Sequence, residues 1–186
     1  LQWSKTKKML ESFLCEKLIG RVHIYAAVYR KFHDQPGRVW ITFDKNEIVS
    51  AADVTYMIKH EVLYQQIQNE KELKPIPFST DFKEMLNSPE RQALSDAFDD
   101  AEDMLFKQGE FATYHLYRPF MSYNTLSIEE ALSSENPIVQ AYSMFDRRLG
   151  KRRLQSLEIT TESHPLVKRF YDIRCNVEGM GIRNSS

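Results

Sequence analysis

Between residues 21 and 49 apolar side chains recur at alternate positions, and short turns separate the runs. In residues 21–33, Val22, Ile24, Ala26 and Val28 alternate with His23, Tyr25, Ala27 and Tyr29. That period belongs to a strand with both faces partly covered. Asp34-Gln35-Pro36-Gly37 reads as a turn, followed by a second strand over 38–43. It has Val39, Ile41 and Phe43 on one face and Trp40 and Thr42 on the other. Asp44-Lys45-Asn46 then turns the chain into a short third strand, Glu47 to Val49. Three strands joined by short turns make an antiparallel meander.

The rest reads as helix. Before the strands, Trp3, Leu10, Phe13, Leu14 and Leu18 recur near a 3.6-residue period, predicting a helix over 4–18 that Gly20 ends. After them, Ser50 with Asp53 resembles a capping box and opens a helix to about Leu73, which Pro75 and Pro77 break. Ser79 is expected to cap a short helix through Leu86. Ser88-Pro89-Glu90 combines a cap, a proline at the first helical position and an acid at the positive end of the dipole, so a helix should run to Gln108 and stop at Gly109. A helix over 110–118 should break or kink at Pro119. Ser127 and Glu130 form a capping box. Asn136-Pro137 opens a helix to Leu149, a further turn or two follows over 151–157, and the last helix runs from Pro165 to Val177. The fold class expected is α+β: an N-terminal helix, a three-stranded antiparallel meander and a mostly helical C-terminal two-thirds packed on it. A length of 186 residues fits a single domain, 1–186, with an α-β-β-β-α portion to residue 75 and a helical portion over 76–186.

Lys and Arg total 25 against 26 Asp and Glu, which excludes a uniformly basic nucleic-acid coat. The longest apolar run, Ile24 to Tyr29, is far shorter than the roughly 20 residues a membrane helix needs, so no membrane is expected as a partner. The opening residues carry charge without an apolar stretch behind them, so no secretory signal is expected there. Two cysteines, Cys15 and Cys175, on separate predicted helices are no disulfide framework. Neither has a ligand-spaced neighbour, which points to reduced, buried thiols and a cytoplasmic protein.

Charge is unevenly spread: residues 1–75 carry +3, 76–135 carry −8 and 136–186 carry +4. Two constellations concentrate it. Asp96, Asp99, Asp100 and Asp103 fall at i, i+3, i+4 and i+7, on one helix face opposite Leu94, Ala97, Phe98, Ala101 and Leu105. A divalent cation or a basic partner would relieve the mutual repulsion of such a stripe, which otherwise is a solvated face. Arg147, Arg148, Lys151, Arg152 and Arg153 surround Gly150. Arg forks suit carboxylate or phosphate, and a helix C-terminus also favours cations. The run is not a phosphate-binding Walker loop: Phe145 stands where its first glycine would be and Arg152 where its Ser or Thr would be. The aromatic segment Phe111, Tyr114, His115, Tyr117, Arg118, Phe120 and Tyr123 reads as core in preference to a stacking surface for bases. His33-Asp34 on the first hairpin turn pairs a base with a carboxylate, a combination turns also use for local hydrogen bonds. No histidine pair has metal-site spacing and no nucleophile elbow occurs, so no cofactor, metal or catalytic residue is assigned.

Several stretches together carry a resemblance. They are Trp3-Ser4-Lys5-Thr6-Lys7, Arg38-Val39-Trp40-Ile41-Thr42, Ser127-Ile128-Glu129-Glu130, Asn136-Pro137-Ile138, Asp146-Arg147-Arg148-Leu149-Gly150-Lys151-Arg152 and His164-Pro165-Leu166 with Arg174. The chain resembles an uncharacterised family of short bacterial cytosolic proteins over nearly its whole length. The family supplies no activity to carry over, and its style is similar to small immunity proteins encoded near toxin systems. The expected function is a non-catalytic intracellular protein-binding module whose polar surfaces are the acidic helix and the basic stretch. Another protein is the favoured partner. The alternatives are a nucleic-acid or phosphate binder acting through 147–153 and a metal-dependent hydrolase acting through 96–103.

Overall fold

The structure is a computed structural model that describes residues 3–28 and 36–180. It divides into two compact units, one formed by Leu1–Asp53 together with Phe111–Ser186 and the other by Val54–Glu110.

In the first unit, helix α1 (Trp3–Phe13) leads through a short 3-10 turn (Glu16–Leu18) into strands β1 (Val22–Val28), β2 (Pro36–Phe43) and β3 (Asn46–Ala52). The strands pair antiparallel in the order β1-β2-β3, the predicted meander. Asp44 and Lys45 both take positive φ, 48° and 70°, so the β2–β3 connection has the backbone twist that tight hairpins favour. Val22, Ile24, Val39 and Ile41 are buried. Tyr25 and Trp40 stack on the other face at 5.2 Å, with Lys7 over the first ring and Arg38 over the second. Helix α1 packs beside β1 and α5 (Thr113–Ser122) across β2 and β3. Beyond them lie α6 (Ile128–Leu132), α7 (Pro137–Ser143), α8 (Lys151–Ser156) and α9 (Pro165–Val177). The largest fully buried side chains, Tyr123, Tyr142, Phe120, Phe145 and Phe170, fill this unit. The architecture is therefore α+β, as the sequence predicts.

The second unit holds α2 (Asp53–Glu70) beyond its first residue, α3 (Phe82–Leu86) and α4 (Pro89–Gln108). Its core is small: Ile67, Ala97 and Ala101, with Leu63, Tyr64 and Leu73 partly buried against them. The buried His60 donates from Nε2 to the Phe98 carbonyl at 3.1 Å. Helix α4 starts and stops as predicted. The Ser88 hydroxyl accepts from the Arg91 N–H, Pro89 follows, and Gly109 closes the helix at φ 84°.

Several boundaries differ from the sequence reading. Ser50 belongs to β3 and its hydroxyl accepts from Arg38, so α2 begins at Asp53. Asp53 instead accepts from the N–H and hydroxyl of Thr113. Pro36 and Gly37 open β2; Asp34 and His33 lie outside the described residues. Asp81, not Ser79, caps α3. Pro119 sits inside α5, which continues to Ser122. The first helix ends at Phe13, leaving Cys15 in the extended link to the 3-10 turn. Helix α7 stops at Ser143: the N–H groups of Met144, Phe145 and Asp146 bond three residues back, and the Phe145 carbonyl and Arg147 N–H pair with Cys15 and Phe13.

Candidate functional site

Residues 144–149 form a densely bonded polar centre in the first unit. The chain crosses the end of α1 there: the Cys15 N–H donates to the Phe145 carbonyl at 2.8 Å and the Arg147 N–H to the Phe13 carbonyl at 2.7 Å. Asp146 is completely buried. Its carboxylate accepts from the Tyr123 hydroxyl at 2.8 Å, from the Arg148 backbone N–H at 2.8 Å and from the Arg148 guanidinium at 2.7 Å. Arg148 also donates to the Leu126 carbonyl at 2.7 Å and lies over the Phe13 ring. From α9 the buried Arg174 donates to the carbonyls of Met144, Asp146 and Leu149 and pairs with Glu178. Burying a carboxylate without partners would be prohibitive, and this set satisfies it. The carboxylate holds Arg148 above its ordinary value, and burial with that same negative charge pushes the Tyr123 phenol far up.

The five basic candidates are thus distributed unequally. Arg148 turns inward. Lys151 donates to the Glu178 carbonyl at 2.9 Å, at the C-terminal end of α9 where a cation is favoured. Arg153 pairs with Glu129, whose carboxyl it holds below the ordinary range. Arg147 and Arg152 are exposed, and their side chains have no hydrogen-bond or ion-pair partner among the described residues.

The four acidic candidates lie in the second unit and stay outside. Asp96, Asp99, Asp100 and Asp103 are all exposed, while Ala97, Ala101 and Leu105 on the opposite side of α4 are buried. Lys71 pairs with Asp100 at 2.6 Å and Gln92 donates to Asp96 at 2.7 Å. Among the described residues no three His, Cys, Asp or Glu are placed to hold a metal ion. The unit as a whole is acidic. Val54–Glu110 holds 6 basic and 12 acidic residues, a net of −6, leaving +5 on the remainder.

The aromatic segment 111–123 is core: Phe111, Tyr117, Phe120 and Tyr123 are buried. An open groove of about 860 Å³ runs along residues 77–90, but its polar groups serve local structure. Asp81 caps α3, and the Ser79 hydroxyl donates to Glu84.

One feature escaped the sequence reading. Val54, Met57, Ile58 and Val62 on α2 are 73%, 69%, 62% and 62% exposed. They lie opposite Tyr56, His60 and Ile67, which face inward. The signal was present: apolar residues surround α2 on all sides, a pattern of helices that are covered all round. Arg174 left a similar trace, a lone cation four residues after Phe170 on the apolar stripe of α9.

An α+β chain with a tightly knotted loop over 144–149 and an acidic helical unit between Asp53 and Phe111 is the class this geometry defines. Residues 2–175 match the SF0329 protein family, and the chain belongs to that uncharacterised family. No curated protein and no solved structure matches the chain. No helix among the described residues is long and apolar enough to cross a membrane.

Proposed function

We propose that the chain is a non-catalytic protein-binding module that docks through the outer face of α2. The observation that carries this reading is the run of four large apolar side chains there, each more than three-fifths exposed. Contiguous apolar surface of this kind marks interaction sites. The acidic stripe on α4 supplies charge that steers approach and selects among partners. Two buried free thiols, both pushed up by burial, support a reducing, cytoplasmic setting. A bacterial origin and an immunity-like role belong to the same reading. The test is affinity capture from a native lysate at low salt, comparing the wild type with Val62→Lys. A partner retained by the wild type and lost by the variant supports the reading; no retained partner, or one held equally by both, counts against it.

A second reading rests on Arg147 and Arg152, whose unpaired guanidinium groups suit phosphate. Nucleic-acid binding through them would weaken steeply as salt rises and would fall on replacing both with Ala. A flat salt response would remove it.

A further inference from the structure

The outer face of α2 carries charge as well as apolar surface. On the helical wheel Glu61 falls between Met57 and Ile58, inside the exposed patch that Val54 and Val62 complete. It is exposed, and the Gln65 side chain that donates to it at 2.8 Å is neutral. Glu70 stands in the same way, bonded at 2.9 Å to the side chain of Gln66. Lys59, the only lysine or arginine in the sequence of this helix, pairs with Glu110 at 2.6 Å, which offsets its charge. The face is thus apolar with a negative charge set within it.

An occupant has to answer both properties. Val54, Ile58 and Val62, at i, i+4 and i+8, form one ridge that fits the groove between side-chain rows of a second helix. Covering Glu61 with apolar surface alone would strip water from a carboxylate that no cation neutralises, which is costly. A lysine or arginine at the edge of the occupant's apolar stripe removes that cost with a charge-assisted hydrogen bond. The unit repeats the sign of Glu61, with 6 basic and 12 acidic residues over Val54–Glu110. Its field draws in a basic segment and repels nucleic acid, anionic lipid and a second acidic unit. Four side chains cover less than the roughly 800 Å² per partner of a standard interface, so the complex is a rapidly exchanging one in which charge speeds the encounter.

From these observations we infer that the occupant of the α2 face is a basic amphipathic helix of another protein. Its apolar stripe lies on the Val54–Ile58–Val62 ridge and a lysine or arginine meets Glu61. The inference rests on the docking reading above and specifies the chemistry of the partner.

The test follows fluorescence anisotropy of labelled synthetic peptides titrated with the full chain. Three helical peptides share one leucine stripe and differ only in the flanking residues, which are lysine, glutamine or glutamate. At low salt the lysine peptide should bind about tenfold more tightly than the glutamine peptide, an advantage that shrinks as salt rises, and the glutamate peptide should not bind. Ile58→Asp should abolish binding of the lysine peptide although it adds negative charge, which separates the ridge from plain charge attraction. Glu61→Gln should weaken the lysine peptide about threefold to fivefold and leave the glutamine peptide unchanged. Asp99→Asn combined with Asp103→Asn removes more charge, but from the side of α4 turned away from its core, and should cost less than Glu61→Gln. Far-ultraviolet circular dichroism should be unchanged in every variant. No binding of the lysine peptide, equal binding of all three, or binding that survives Ile58→Asp but is lost in the α4 double variant overturns the inference. If the lysine peptide fails while Val62→Lys still abolishes capture of a lysate protein, the basic helix is excluded and the docking reading stands.

Discussion

The basic run around Gly150 and the acidic run on α4 both concentrate charge, yet the fold uses them in opposite ways. In the first, Asp146 goes to the centre of the unit and takes Arg148 with it, while Arg174 closes over the carbonyls of the same loop. In the second, every aspartate remains in water and the helix buries only alanines and a leucine behind them. The difference lies in what surrounds each run. The loop at 144–149 has unpaired carbonyls that need donors and a phenol that needs an acceptor. The face of α4 opposite its core has neither. Charge density alone therefore does not mark a surface; the unmet hydrogen bonds of the neighbouring backbone decide it.

This contrast is open to breaking by mutation. Asp146→Ala should have the largest effect, about 3–5 kcal/mol lost in denaturant unfolding, because Arg148 and Tyr123 would remain without their buried partner. Arg174→Leu should follow at about 2–4 kcal/mol, because it removes a buried donor that three carbonyls share. Tyr123→Phe should cost about 1–2 kcal/mol. It should also change the alkaline limb. The folded phenol titrates far above its unfolded value of about 10, so its share of stability is intact below that pH and is lost as pH rises toward the folded value. Above about pH 10, stability should fall less steeply with pH in Tyr123→Phe than in the wild type. Asp99→Asn and Asp103→Asn should move thermal stability by no more than about 0.5 kcal/mol. A loss of 2 kcal/mol or more from either would mean that the acidic stripe is structural and would erase the contrast.

Legibility in the sequence followed the range of the forces involved. The β2–β3 turn, the caps of α4 and α6 and the full span of α9 were readable because each depends on residues a few positions apart. Pro119 and Ser50 were misread for the converse reason. A helix that packs across β2 and β3 runs on past the proline, and pairing with β2 places Ser50 in a strand. The early end of α7 is also tertiary: nothing between 136 and 149 says that Phe13 and Cys15 will supply the bonding partners. Of the candidate residues, the exposure of Asp96, Asp99, Asp100 and Asp103 followed from helical period. The inward turn of Arg148 did not, because the Leu126 carbonyl that it binds and the Tyr123 hydroxyl that shares Asp146 lie more than twenty residues away in the chain.

Ala51 pairs with Phe111, and Asp53 binds Thr113, so the segment between them leaves and returns at one spot. This has a consequence for translation. The sheet emerges from the ribosome early, but α5, which covers it, waits behind the whole inserted unit. At about 5–20 residues per second, the nascent chain presents Val39 and Ile41 without their cover for roughly several seconds. Silent codon changes that slow elongation across 54–110 would lengthen that interval and raise the yield lost to aggregation.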